Sequence, residues 1–227
     1  LLQINDNVDG NIINLDGLSS ITSVGGDLRV QFNSALTNVD GLSGITSVDG
    51  DIAIFALSSL QNVNGLSHIT SVPGRIQIIK NPVLTDLDGF SSVTSVGSLV
   101  YIGNCNIITS LDGLSQITSI NGSLHIVNNA LLNDISGIEN IDPSTIEDVI
   151  FRGIDYELMF TIFDQVIITS AGGSLYSNAQ TTASLITTTT AVHQLSTDDR
   201  WQVYPNPSSG WLQLTHPEGE TTFGKGC

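Results

Sequence analysis

Charge is the first thing this 227-residue chain has little of. Only 12% of its residues are Asp, Glu, Lys or Arg, against roughly 25% in an average globular protein. Ser, Thr, Asn and Gly must therefore cover the surface, and few helices look like that. Positive charge is scarcer still, with 6 basic residues against 22 acidic ones and a net charge of −16. Such a surface repels nucleic-acid phosphates and anionic membranes, so neither is an expected partner. Cysteine is nearly absent: Cys105 and Cys227 are too few for a disulfide framework, and a bridge between them is not expected. No apolar run approaches the ~20 residues needed to span a bilayer, which argues against direct membrane insertion. The opening LLQIND has neither an initiator Met nor a signal peptide and looks like the inside of a repeat, so a mature form or a fragment is expected.

What is present is apolar and periodic. Apolar residues make up 40% of the chain, enough for a core. Gly17, Gly41, Gly65, Gly89, Gly113 and Gly137 recur at one constant interval, and the five full units between them align without gaps, from GLSSITSVGGDLRVQFNSALTNVD to GLSQITSINGSLHIVNNALLNDIS. Repeats of this length signal stacked arrays. The opening LQINDNVDGNIINLDG reads as the tail of an earlier unit with a two-residue insertion. Apolar residues recur at fixed phases, such as Leu18, Leu42, Leu66, Phe90 and Leu114. Leu28 and Val30 alternate with Arg29 and Gln31, the mark of a strand with one buried face. No unit has room for an ordinary helix. Each is read as one coil that buries its apolar side only against neighbours, at about 4.8 Å per coil. Asp-Gly or Asn-Gly at the head of most units reads as a turn in which Asx binds nearby amides and Gly takes a positive φ. A second turn is expected at Gly25-Gly26, Asp49-Gly50, Pro73-Gly74 and Asn121-Gly122.

The column Asn33, Leu57, Asn81, Cys105, Asn129 follows the main strand. Leucine-rich repeats carry Asn or Cys there to satisfy backbone groups in the bend, which makes Cys105 a buried ladder residue. Units of the form L-x-x-L-D-G-L-S-x-I-T-S-V-G-G-x-L-x-I-x-x-N resemble the receptor L-domain family. That family includes ligand-binding domains of the insulin and epidermal growth factor receptors, fungal cell-wall proteins and many secreted bacterial proteins. The resemblance covers residues 1 to about 154. It implies an all-β, right-handed solenoid of 24-residue coils with a binding role. The receptor cysteines and the Cys-bearing cap of bacterial members are missing.

Beyond the repeat, GIENIDPSTIEDVIFRGI keeps the rhythm, with Val149 and Phe151 or Ile150 supplying one more strand. Leu158, Ile162 and Val166, like Met159 and Phe163, are spaced by four, which predicts a short helix capping the last coil. ITSAGGSLYS reads as a degenerate final coil, so the solenoid with its cap is drawn over 1–177. A Thr- and Ser-rich linker follows over 178–200, and a third segment over 201–227. In that segment Val203, Tyr204, Pro205, Asn206, Pro207, Gly210 and Leu212 form a string resembling the start of the C-terminal sorting domain of the type IX secretion system of Bacteroidota-type bacteria. The chain stops at GKGC, shorter than such domains usually run. The resemblance implies export to the outer cell surface or the medium, with the export machinery as a partner.

No catalytic constellation emerges. His68, His125, His193 and His216 are scattered, with no metal-ligand spacing, no G-x-S-x-G elbow and no phosphate loop. No enzyme activity, metal or cofactor is expected. The carboxylates Asp16, Asp40, Asp88 and Asp112 stack one per coil, but Asn64 interrupts them, and turn formation explains them better than Ca²⁺. Thr22, Thr46, Thr70, Thr94 and Thr118, each followed by Ser, form a hydroxyl ladder. Ice-binding solenoids show T-x-T instead, so a structural ladder is the better reading. The outward side of the main sheet remains the candidate binding face. It carries Arg29, Gln31, Ala53, Phe55, Gln77, Ile79, Tyr101, Gly103, His125 and Val127, with Phe55, Ile79, Tyr101 and Val127 as an apolar strip. The expected function is recognition of an extracellular protein or glycan. A structural surface spacer and an ice-binding protein are the alternatives.

Overall fold

The computed structural model describes residues 1–5 and 12–154 in full, together with the backbone of three strands between 202 and 222. Seven strands form one parallel sheet: β1 (Leu2–Asn5), β3 (Leu28–Gln31), β5 (Ile52–Phe55), β7 (Ile76–Ile79), β9 (Leu99–Gly103), β11 (Gly122–Val127) and β12 (Ile146–Arg152). The intervening pairs β2 (Ser23–Val24), β4 (Ser47–Val48), β6 (Ser71–Val72), β8 (Ser95–Val96) and β10 (Ser119–Ile120) build two short parallel sheets, β2-β4 and β10-β8-β6. Among the described residues the helices are three-residue 3₁₀ turns, such as Asp40–Leu42.

The register follows the repeat. Leu28 pairs with Ile52, Ile52 with Ile76 and Ile76 with Val100, each one full repeat further on. Leu2 pairs with Leu28, a longer step that agrees with the two-residue insertion read from the opening unit. Between β11 and β12 the register shifts after Gly122, so Leu124 meets Val149, one position beyond its repeat equivalent. Val149 and Phe151 thus point into the core while Ile150 shares the outer face with His125.

Alternation decides which side is buried. Leu28, Val30, Ile52, Ile54, Ile76, Ile78, Val100 and Ile102 are fully buried and stack on their equivalents. Each contributes about 1.5–3 kcal/mol of transfer free energy, an upper bound because the unfolded chain already shields part of that area. The head-of-unit column Leu42, Leu66, Phe90 and Leu114 is equally buried, so Phe90 is a core residue.

The glycines have a different reason from the one the sequence suggests. Among the described glycines only Gly153 has a positive φ. Gly41, Gly65, Gly89, Gly113 and Gly137 are needed because the previous unit passes too close. A β-carbon on Gly65 would run into the Val39 carbonyl, and one on Gly89 into that of Val63. The turn acceptor is likewise not the Asp of the Asp-Gly pair but the residue two before it. Asn38 Oδ1 accepts from the Asp40 amide at 3.1 Å, and Asn62 and Asp86 repeat this for Asn64 and Asp88 at 3.2 Å. Asp40 itself is exposed to solvent.

After the main strand, Phe32, Ala56, Lys80, Asn104 and Asn128 all take left-handed backbone, with φ between 55° and 59°. The buried residue that follows clamps the unit before it. Asn81 Nδ2 donates to the Ile54 carbonyl at 3.0 Å while its Oδ1 accepts from the Leu57 amide at 3.1 Å. Asn129 does the same to Ile102 and Cys105, both at 3.0 Å. Cys105 stands in this column as expected, with Sγ 3.7 Å from the Ile78 carbonyl, and burial pushes its thiol up to about 11.

The segment near the C terminus pairs antiparallel: β13 (Gln202–Asn206) with β14 (Trp211–His216), and β14 with β15 (Gly219–Thr222). Val203 to Asn206 therefore lie in β13, and Leu212 pairs with Pro205. The capping helix near 158–166, the degenerate coil, the linker over 178–200, and Pro207 and Gly210 lie outside the described residues.

Three outcomes are expected. Gly65→Ala and Gly89→Ala should each lower stability by about 2 kcal/mol or more, because the clash is with backbone that must move. Gly25→Ala, whose new methyl group would find its nearest neighbour 3.9 Å away, should stay within about 0.5 kcal/mol of the parent in urea melts. In a Cys227→Ser background, iodoacetamide at pH 8 should label Cys105 only as fast as the chain opens, since thiolate is scarce and access is closed.

Candidate functional site

Outward residues of the main sheet form two columns. One runs Gln3, Arg29, Ala53, Gln77, Tyr101, His125, Ile150; the other runs Asn5, Gln31, Phe55, Ile79, Gly103, Val127, Arg152. Tyr101 thus stands in a different column from Phe55, Ile79 and Val127, and the column of those three has a gap at Gly103. The ring of Tyr101 fills that gap. A β-carbon on Gly103 would meet Tyr101 Cε1, and the glycine is buried beneath it. An aromatic laid over a strand glycine shields backbone that would otherwise face water. The strip is therefore continuous but bent across the two columns.

Most of these side chains are half-buried rather than fully exposed: Arg29, Gln31, Phe55, Gln77, Ile79, Tyr101, His125 and Val127 all fall in that class. Ala53, expected on the open face, is buried at 7% exposure between longer neighbours. Several contacts hold the face in place. Arg29 Nη2 lies 2.7 Å from Asp27 Oδ2. His125 Nε2 lies 3.2 Å from Asp148 Oδ2, with the Tyr101 ring edge-on to the imidazole at 5.8 Å. The His125–Asp148 contact depends on the shifted register of the last strand, so the repeat alone does not reveal it.

Asp27 is tied to more than Arg29. Its Oδ1 accepts from the Asp51 amide at 3.0 Å, and Asp51 Oδ1 does the same for the Arg75 amide at 2.9 Å. The Asp51 N–H, and after it the Arg29 guanidinium, holds the Asp27 carboxyl below its ordinary value of 3.8. Basic charge gathers around this sheet. Arg29 lies in β3, Arg75 and Lys80 flank β7, and Arg152 ends β12, so all four basic residues before residue 155 belong to it.

Residues outside the expected set complete the face. Phe32 is exposed at 51% and packs edge-on against Phe55, with ring centroids 5.3 Å apart. Lys80 Nζ sits 5.4 Å from the Phe55 ring centroid. A shallow depression of about 310 Å³ opens beside them, lined by Ala56, Ser58, Lys80, Pro82 and Asn104. These residues follow the strand rather than alternate along it, so a search by strand alternation passes over them. Aligning the column Phe32, Ala56, Lys80, Asn104, Asn128 by phase brings them out.

The other regular surfaces show less. Thr22, Thr46, Thr70, Thr94 and Thr118 are all exposed, but Thr46, Thr94 and Thr118 donate their hydroxyl protons to the preceding threonine carbonyl at 3.1–3.2 Å. His68 Nδ1 lies 3.0 Å from the Ser43 carbonyl. Among the described residues no three His, Cys, Asp or Glu side chains converge as a metal site, and no helix is long and apolar enough to cross a membrane. No protein-family model matches the chain, and neither a curated protein nor a solved structure matches it.

The folded-state pKa of Asp27 is depressed, so its stabilising effect is complete above the unfolded value and fades as pH falls through the folded one. Melting temperature should therefore drop as pH goes below about 4. Asp27→Asn should flatten that part of the profile, and an unchanged acid limb would rule this carboxylate out as a contributor.

Proposed function

We propose that residues 1 to about 177 are a right-handed β-solenoid of the receptor L-domain type, closed by a short helix, and that it serves as an exported, non-catalytic recognition module for an extracellular protein or glycan. The observation that carries this reading is the outer face of the main sheet. It combines a bent apolar strip (Phe55, Ile79, Tyr101, Val127) with the basic residues of an otherwise acidic chain. Partly open aromatic and apolar side chains held rigid by a backbone ladder lose little freedom on binding. The resemblance of Val203 to Leu212 to a type IX sorting segment supports a location outside the cell, and the scarcity of charge fits that place.

On this reading the threonine column serves stacking, because the hydroxyl protons of Thr46, Thr94 and Thr118 are spent on the neighbouring unit. The outer face meets no such demand and is free for a partner. A module acting only as a surface spacer would instead use that face for lateral contacts with its own kind.

Binding to cells and to a glycan array should fall about tenfold or more for Phe55→Asp combined with Tyr101→Asp, since two half-buried aromatics are replaced by charges in a contact zone. Unchanged binding by the folded double variant would remove this face as the site. Self-association that the same variant abolishes would favour the spacer. Thermal hysteresis lost on Thr70→Tyr would favour ice.

A further inference from the structure

Five consecutive units place a non-glycine residue in left-handed backbone after the main strand, and their side chains divide into two groups. Asn104 and Asn128 are residues that tolerate this conformation, whereas Phe32, Ala56 and Lys80 are not. The three that backbone preference would not select are neighbours, and two of them close on one ring. Phe32 packs edge-on against Phe55, and Lys80 lies over its face. The third, Ala56, is the smallest of the column and leaves the depression of about 310 Å³ beside it. Non-glycine residues held in left-handed backbone cluster at ligand clamps and binding sites.

The lining defines the ligand chemistry. Lys80 makes no ion pair among the described residues, so its ammonium offers an unneutralised donor. Asn104 Oδ1 accepts from Asn128 Nδ2 at 3.4 Å, which leaves the Asn104 amide N–H₂ to donate. Ser58 Oγ donates to the Ser34 carbonyl at 3.3 Å, which leaves its lone pairs to accept. Ala56 and Pro82 supply apolar floor. One cation, one amide donor, one hydroxyl acceptor and an apolar floor suit a ring that carries a carboxylate, hydroxyls and a C–H face.

We infer that this depression binds an acidic saccharide, a uronate unit within a polysaccharide, with its carboxylate on Lys80. The inference rests on the recognition reading above and names the ligand class for the rim of the same face. The chain's net charge of −16 does not forbid it. Remote carboxylates are screened beyond about 8 Å at physiological salt, while a contact ion pair is not. A nucleic acid presents dense phosphate that needs many cations, whereas a uronate chain presents one carboxylate per ring and needs one.

The test titrates the full chain with short oligogalacturonates and with their methyl esters, which keep the rings and lose the charge. The acid form should bind, and the esters should bind about tenfold more weakly, the loss expected for one charge-assisted hydrogen bond. Lys80→Met should lose the same factor, Lys80→Arg should retain binding, and Lys225→Met, which removes an equal charge outside the repeat sequence, should change it by no more than about twofold. Equal binding of acid and ester, or equal losses for Lys80→Met and Lys225→Met, would overturn the assignment. So would cell or glycan-array binding that the Phe55 and Tyr101 substitutions abolish while oligogalacturonates fail to bind at all; that result would leave the broader reading standing.

Discussion

Each unit of this chain must pass within backbone contact of the one before it, and most of the sequence answers to that constraint. A parallel ladder needs every amide and carbonyl to find its partner one repeat away, because an unpaired buried group costs about 1–3 kcal/mol. The ladder extends well beyond the strands. The amides of Thr46, Gln61, Thr85, Thr94 and Thr118 each donate to the equivalent carbonyl of the preceding unit, at 2.8–3.0 Å. Such spacing leaves no room for a β-carbon where Gly65 or Gly89 passes the preceding carbonyl. Asn81 and Asn129 then supply what backbone alone cannot, a donor and an acceptor together at the corner. Cys105 fills the same volume with weaker bonds, and Leu57 fills it with none of its own but receives the Asn81 clamp.

The same constraint separates positions that carry structure from positions that carry chemistry. Inward side chains are fixed by their neighbours above and below, and the turns by hydrogen bonds. Outward residues of the main sheet and the left-handed column after it are among those released. There the sequence stops repeating: the column through Arg29 reads Arg, Ala, Gln, Tyr, His, and the column through Phe32 reads Phe, Ala, Lys, Asn, Asn. A rigid frame with a variable face suits recognition, because the frame holds partly exposed rings such as Phe55 and Tyr101 at little entropic cost.

This division explains how much of the molecule is legible in its residues alone. The phases of Leu28, Val30, Leu36 and Val39 identify the core, since burial leaves a periodic mark. The buried place of Cys105 follows from its column. The role of the head-of-unit glycines does not, because a positive φ and a close approach leave the same letter in the sequence. Phase puts Tyr101 one column away from Phe55 and Ile79, and it bridges toward them only by folding over Gly103, a side-chain direction that spacing does not encode. The His125–Asp148 contact and the depression beside Lys80 escape for a related reason. One depends on a register slip in the last strand, and the other on backbone that leaves the alternating pattern.

Charge is distributed by the same logic. The exposed carboxylates Asp16, Asp40, Asp88 and Asp112 stand one per unit along the 3₁₀ turns, away from the main sheet. Like charges at repeat spacing repel, yet in water at about 5 Å the cost is under about 1 kcal/mol per pair, and exposure keeps it there. The four basic residues of the repeat sit on or beside the main sheet, two of them next to carboxylates that also bind backbone. Positive charge in the repeat is thus confined to the neighbourhood of that sheet, where carboxylates such as Asp27 and Asp148 partly offset it. Such a pattern does little for affinity by itself, but it selects the orientation of approach. On the proposed reading, an acidic partner would approach by the face with Phe55 and Lys80, where the basic residues of the repeat are gathered.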